Sequence, residues 1–174
     1  MRERTGPPDG DLTAMGRPAR PPESVWDYPR PPRIEPDPRR IRVVHGDVVI
    51  ADTRRALRVL ESSHPPAFYL PLADVAAGHL EPAAGGSFCE WKGAAAYFDL
   101  VVDGRVAPRA AWHYPSPSRR FAQIAGHVAF YPDRVDACLV DEERARPQDG
   151  GFYGGWITDE ITGPVKGEPG SQGW

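Results

Sequence analysis

Phe88-Cys89-Glu90-Trp91-Lys92-Gly93-Ala94-Ala95-Ala96-Tyr97-Phe98-Asp99-Leu100-Val101-Val102-Asp103-Gly104-Arg105-Val106 is the stretch that sets the class of fold. Two strand-like segments, 88–91 and 97–102, lie on either side of Lys92-Gly93, and Asp103-Gly104 follows the second. Branched and aromatic residues suit a pleated, half-buried surface, and an Asp-Gly pair accepts the positive φ of a tight hairpin turn. The stretch therefore predicts antiparallel strands joined by short turns. If 88–92 is extended, Cys89 and Trp91 share one face, and Phe88, Glu90 and Lys92 share the other.

The same pattern continues outward. Val43-Val44 and Val48-Val49-Ile50 flank His45-Gly46-Asp47, a hairpin signal over 41–51. Residues 67–70, 110–114, 128–131 and 137–140 read as further short strands. Asp52 or Thr53 is placed to cap a helix over about 52–62, with Ala56, Leu57 and Leu60 as its apolar stripe. Arg54, Arg55, Arg58 and Glu61 lie largely outside that stripe, and His64-Pro65-Pro66 ends it. A helical turn is expected within 72–80 and a second short helix over about 118–125. Many short strands at close spacing predict a mainly β, antiparallel, barrel-like or sandwich sheet rather than a parallel one.

The 174 residues suffice for one domain with a real core. Residues 1–22 are rich in Pro, Arg and Gly, without the apolar pattern that would offset ordering, and read as a disordered tail. Residues 23–40 carry Trp26 and Tyr28 beside proline-rich segments and read as an extended arm docked on the domain. The β-rich domain itself is expected over 41–157, with an irregular tail over 158–174. The net charge of −3 argues against a nucleic-acid partner, although arginines crowd the first third of the chain. No apolar run suits a membrane helix or an export signal, so the expected compartment is the cytoplasm, with Cys89 and Cys138 reduced.

Two distant cysteines and five scattered histidines give none of the paired spacings of a zinc site, so no metal and no cofactor are expected. Phosphate-loop and dinucleotide glycine motifs are absent too. What stands out is a set of rings with polar tips: Tyr69, Trp91, Tyr97, Trp112, Tyr114 and Tyr131. Such residues line pockets that hold a few convergent polar groups, and Lys92, Glu90 and His127 are the candidates to supply them. Cys89, close to Lys92, is a candidate nucleophile. Lys92 could bind an anion or, if desolvated, serve as base or amine nucleophile.

Phe88-Cys89-Glu90-Trp91-Lys92-Gly93-Ala94-Ala95-Ala96-Tyr97 resembles the Cys-Pro-aromatic-Lys-Gly-x-Ala-x-Tyr signature of the domain of unknown function 427 family, with Glu90 where many members have proline. Trp112-His113-Tyr114-Pro115 and Gly126-His127-Val128-Ala129-Phe130-Tyr131 resemble its later motifs. Glu23-Ser24-Val25-Trp26-Asp27-Tyr28 and Gly151-Phe152-Tyr153-Gly154-Gly155-Trp156 resemble its actinobacterial members. The resemblance implies an antiparallel β-tent, similar to the thalidomide-binding domain of cereblon and to methionine sulfoxide reductase B. Those relatives hold a structural zinc between cysteine pairs that this sequence lacks. The family is also labelled nucleotidyltransferase-like. Taken with the residues, the expectation is a small-ligand binding domain whose enzymatic status is open. Its ligand would be an unknown small molecule, anions among the candidates, with Lys92 as the main polar group. The alternatives are a nucleotidyltransferase-like enzyme and a module that grips a peptide or protein. The oligomeric state is left open.

Overall fold

The computed structural model describes residues 20–174. The expected tail over 1–22 therefore lies almost wholly outside the described residues. Fifteen strands follow in chain order: β1 (Glu23–Ser24), β2 (Arg33–Asp37), β3 (Ile41–His45), β4 (Val48–Thr53), β5 (Ala56–Leu60), β6 (Ala67–Pro71), β7 (Leu80–Cys89) and β8 (Gly93–Val102). Then come β9 (Arg105–His113), β10 (His127–Phe130), β11 (Ala137–Val140), β12 (Glu143–Arg144), β13 (Arg146–Pro147), β14 (Trp156–Ile157) and β15 (Ile161–Thr162).

Seven of them form one sheet in the order β2-β5-β6-β10-β9-β8-β7, and four form a second in the order β12-β11-β3-β4. Every pairing in these two sheets is antiparallel. The fold is mainly β as expected, but the large sheet stays open, with β2 and β7 as its edges, and does not close into a barrel. Pro36 on β2 removes a ladder donor from one edge, and a register shift between Pro82 and Gly86 interrupts β7 at the other.

Strand alternation gives the large sheet two apolar faces. Phe68 and Leu70 on β6, Ala111 on β9 and Phe130 on β10 point to the small sheet and pack with Ile41, Val43 and Ile50. Their neighbours Tyr69, Trp112 and Ala129 point the other way, into a second cluster with Tyr97 and Tyr114. The first face is the core. The second carries the candidate site.

The helix expected over 52–62 does not form. Residues 48–53 and 56–60 are β4 and β5, and β5 is buried along its whole length. Apolar residues at 56, 57, 59 and 60 satisfy a helical stripe and a doubly buried strand equally, and Arg58 misdirects the choice. Its side chain is only 1% exposed, and it donates to Glu23 and Glu35 rather than to water. The second expected helix is a kinked 3-10 segment, Arg119–Ile124, with Phe121 out of helical geometry. The turn expected in 72–80 is a pair of short 3-10 helices, Leu72–Asp74 and Ala77–His79.

The stretch 23–40 is more than an arm, because Arg33–Asp37 pairs along β5 as part of the large sheet. Val25 is its deepest anchor, fully buried, with Tyr28 beside it in a third small cluster. Trp26 is instead 44% exposed. It lies edge-on to Trp174 at 5.2 Å and donates from Nε1 to the Pro164 carbonyl. Residues 158–174 pack back on this region: β15 pairs in parallel with β1, and Val165 is buried. Among the described residues no helix is long and apolar enough to cross a membrane.

Candidate functional site

On the outer face of the large sheet lies a cavity of about 430 Å³, within the roughly 300–1,000 Å³ usual for small-molecule sites. Neighbouring strands build its floor. Tyr97 on β8 and Trp112 on β9 are direct cross-strand partners, and Tyr69 projects from β6. Tyr114 and Tyr131 follow immediately after β9 and β10 and complete the ring set. Trp112 Nε1 donates to the Tyr69 hydroxyl (3.2 Å) and its indole lies 4.5 Å from the Tyr131 ring. Tyr97 and Ser87 share a hydroxyl contact of 2.9 Å. Burial pushes the phenols of Tyr69, Tyr114 and Tyr131 above their ordinary range, so they stay protonated at neutral pH.

The β7–β8 hairpin supplies the rim. β7 ends at Cys89, and Glu90-Trp91-Lys92 is its turn, so simple alternation does not govern these three residues. Within β7, Phe88 lies at the cavity's edge and is 77% exposed, while Cys89 packs on the ring cluster. The turn then folds Lys92 back over the cavity, with Nζ 5.6 Å from the centre of the Tyr114 ring. Glu90 and Trp91 line the same cavity, Glu90 from an exposed position. Burial disfavours the Lys92 charge, but Tyr69, Cys89 and Glu61 around it outweigh that and hold its ammonium above the ordinary value. No carboxylate among the described residues lies within salt-bridge distance of it.

Of the residues expected from the sequence, Cys89, Glu90, Lys92, Tyr69, Trp91, Tyr97, Trp112, Tyr114 and Tyr131 all border this cavity. His127 does not. It starts β10 at the sheet's other end, paired with Pro71, and its ring contacts the Ala125 carbonyl.

The histidine that does reach the cavity is His64. The Gln148 amide accepts from the Gly155 N–H through Oε1 and donates through Nε2 to the Lys166 carbonyl. That orientation lets Nε2 only donate to His64 Nδ1, at 3.1 Å, and so puts the imidazole proton on Nε2. Burial, then the charges of Arg30, Lys92 and Lys166, lower His64 to about 4, so it is neutral at pH 7. Beside it, burial raises the Glu61 carboxyl, an effect Lys92 and Arg30 partly offset and Glu90 adds to. The sequence signal for both residues was the Glu61–His64 spacing next to Pro65-Pro66, which reads only as the end of a helix until β5 is recognised as a strand.

The roof comes from 152–155. Its Phe152 carbonyl accepts from Tyr131 Oη (3.0 Å), and Arg134 reaches the Gly151 carbonyl while stacking on the Tyr131 ring at 3.9 Å. A Cβ built on Gly154 would sit 2.1 Å from the Trp112 indole. Gly154→Ala must therefore displace either the roof or the indole. We expect it to cost about 1–3 kcal/mol, as for overpacked sites, and to change the near-ultraviolet circular dichroism of the tryptophans. Urea unfolding and a spectrum indistinguishable from the parent would show that the roof is not seated on Trp112.

Among the described residues no three His, Cys, Asp or Glu side chains gather into a metal-binding group. No curated protein matches the chain. A family model does match, over residues 33–141, from the start of β2 to the residue after β11. The match takes in the cavity's floor and rim but not its roof, and it covers more than half of the 174 residues. On that match the chain belongs to the family described as Domain of unknown function (DUF427).

Proposed function

We propose that this chain binds a small anionic molecule with a flat, ring-bearing part, the anion at Lys92 and the ring among Tyr69, Tyr97, Trp112 and Tyr114. The observation that carries this reading is the Lys92 ammonium, which borders a ring-walled cavity with no carboxylate among the described residues close enough to pair with it. A charge drawn out of bulk water is costly unless something compensates it, and an anionic ligand would do so. A raised ammonium favours this electrostatic role over a base or amine nucleophile, both of which need the neutral amine.

The name of the matching family model, NTP_transf_9, adds nucleoside triphosphates to the anions to be tried. The other cations at the cavity are largely engaged. Arg30 donates to the Ser62 carbonyl and the Ser63 hydroxyl, and Lys166 donates to the Ser171 and Gln172 carbonyls. One spare ammonium suits a singly charged group better than a triphosphate.

The test is titration with 8-anilinonaphthalene-1-sulfonate and with 3-phenylpropionate, followed by tryptophan fluorescence and calorimetry. Lys92→Met should leave stability within about 1 kcal/mol and lower both affinities by on the order of tenfold or more. Unchanged affinities in a folded variant would remove Lys92 from the site. Adenosine triphosphate binding more tightly than either probe would favour the nucleotide reading.

A further inference from the structure

Lys92 is not the only charged group at this cavity with hydrogen-bonding capacity to spare. Glu61, which follows directly on β5, lines the same space. Its two nearest polar contacts are loose: the Arg30 guanidinium, with Nε at 3.6 Å, and the neutral His64 ring, with Nε2 at 3.5 Å. Both exceed the roughly 2.7–3.2 Å of a good N–H to oxygen hydrogen bond. Arg30 gives its own hydrogen bonds to the Ser62 carbonyl and the Ser63 hydroxyl instead. Glu61 is also well covered, its side chain 22% exposed, so bulk water replaces those bonds only in part. Lys92 and Glu61 feel each other's charge yet lie outside salt-bridge distance. Two opposite charges thus face one ring-walled cavity without neutralising each other.

We infer that the ligand is a small aromatic zwitterion of the amino-acid kind, its carboxylate on Lys92, its ammonium on Glu61 and its ring against the tyrosines. This rests on the anion reading above and narrows it. An α-amino acid carries its ammonium and its carboxylate on one carbon, a compact pair of opposite charges for two side chains that border one cavity without touching. A plain aromatic acid would leave Glu61 with its bonding capacity unfilled. A plain aromatic amine would bring a second cation toward Lys92. Gln148 supports the arrangement from behind, since by fixing the proton on His64 Nε2 it makes His64 a donor toward Glu61 rather than a competing acceptor.

Calorimetric titration of the full chain with L-phenylalanine, 3-phenylpropionate and phenethylamine separates the cases. L-phenylalanine should bind on the order of tenfold more tightly than 3-phenylpropionate, the increment of one charge-assisted hydrogen bond. Phenethylamine should bind least. Glu61→Gln keeps the shape and removes the charge; it should erase the margin between the first two while leaving 3-phenylpropionate within about twofold, since only the ammonium contact is lost. Equal wild-type affinities for L-phenylalanine and 3-phenylpropionate would overturn the inference whether or not the variant folds. So would an equal loss for both in a folded Glu61→Gln. If neither 3-phenylpropionate nor the sulfonate dye binds the wild-type protein, the anion reading itself falls, and this one with it.

Discussion

Arg58→Met is expected to cost about 3–5 kcal/mol of stability, the range for removing one partner of a buried ion cluster, and to lower the melting temperature by about 10 °C. Arg58 sits in the middle of β5, and its guanidinium ties three separate segments together. Nη1 and Nη2 donate to Glu23 at 2.9 and 3.1 Å, and Nη2 also donates to Glu35 at 2.9 Å. Nε lies 3.5 Å from Asp37, which Arg39 also holds, and Arg39 continues to Glu160. Methionine fills the space but leaves three carboxylates together without their shared cation. Glu23 and Glu35 are partly exposed, at 28% and 39%, so water relieves part of the cost and the lower end of the range applies.

The pH dependence of this cluster follows from the direction of its shifts. Burial would raise Glu23, but donation from Arg58 and Tyr28 more than reverses that and holds it below its ordinary 4.5. Asp37 is likewise held below 3.8 by Arg39 against the opposing effect of burial. A lowered folded-state value means stability that is present above the unfolded value and lost as pH falls through the folded one. The wild-type protein should therefore lose stability on acidification below the ordinary values of 4.5 and 3.8, and the loss should continue until pH falls through the lower folded-state values. Arg58→Met should flatten the part of that loss owed to Glu23. Urea unfolding at pH 7 and pH 3 measures both effects. A variant with the wild-type midpoint at pH 7 would show that the cluster contributes nothing net.

Arg58 also marks where the sequence is least legible. The strands and tight turns of 88–106 declare themselves through alternation and an Asp-Gly pair. So do most of the rings, because Tyr97 and Trp112 lie on strands whose register follows from that pattern. A buried arginine looks like a solvent-facing one until its acidic partners are located, and these lie 35 and 23 residues away in Glu23 and Glu35. Taking Arg58 as exposed turns β5 into a helix and hides Glu61 and His64 at the cavity. Lys92 reaches the rings by a turn rather than by strand parity, so residue and neighbourhood are readable while the route is not. His127 errs the other way: its place beside strand residues suggests the pocket, but β10 enters the sheet with its far end at the cavity. The roof is the hardest part to foresee. Nothing local in Gly150-Gly151-Phe152-Tyr153-Gly154-Gly155 says that it closes over Trp112; that depends on what anchors the segment after it.

That anchor is Trp156, and its removal is the second large effect expected. The side chain is fully buried in the core cluster between the two sheets. Its ring stacks on Phe68 at 4.7 Å, its Nε1 donates to the Phe130 carbonyl at 3.0 Å, and its backbone N–H donates to the Pro66 carbonyl. Trp156→Ala should cost about 3–5 kcal/mol, as for other large buried aromatics, because the space it leaves lies between two hydrogen-bonded sheets that cannot collapse freely. Trp156→Phe keeps most of the packing but strands the Phe130 acceptor, and should cost about 1–3 kcal/mol. The consequence reaches the cavity, because Gly154 and Gly155 immediately precede the anchor and Tyr153 lies edge-on to His64 at 5.1 Å. At a urea concentration where Trp156→Phe remains folded, amide exchange over 148–157 should quicken relative to β8 and β9, and affinity for the sulfonate dye should fall with it. Trp156→Ala within about 1 kcal/mol of the parent would mean that the segment after residue 141 rests on the sheet without being part of its cooperative unit. Faster exchange of the roof with unchanged dye affinity would mean that the floor and rim hold the ligand without it.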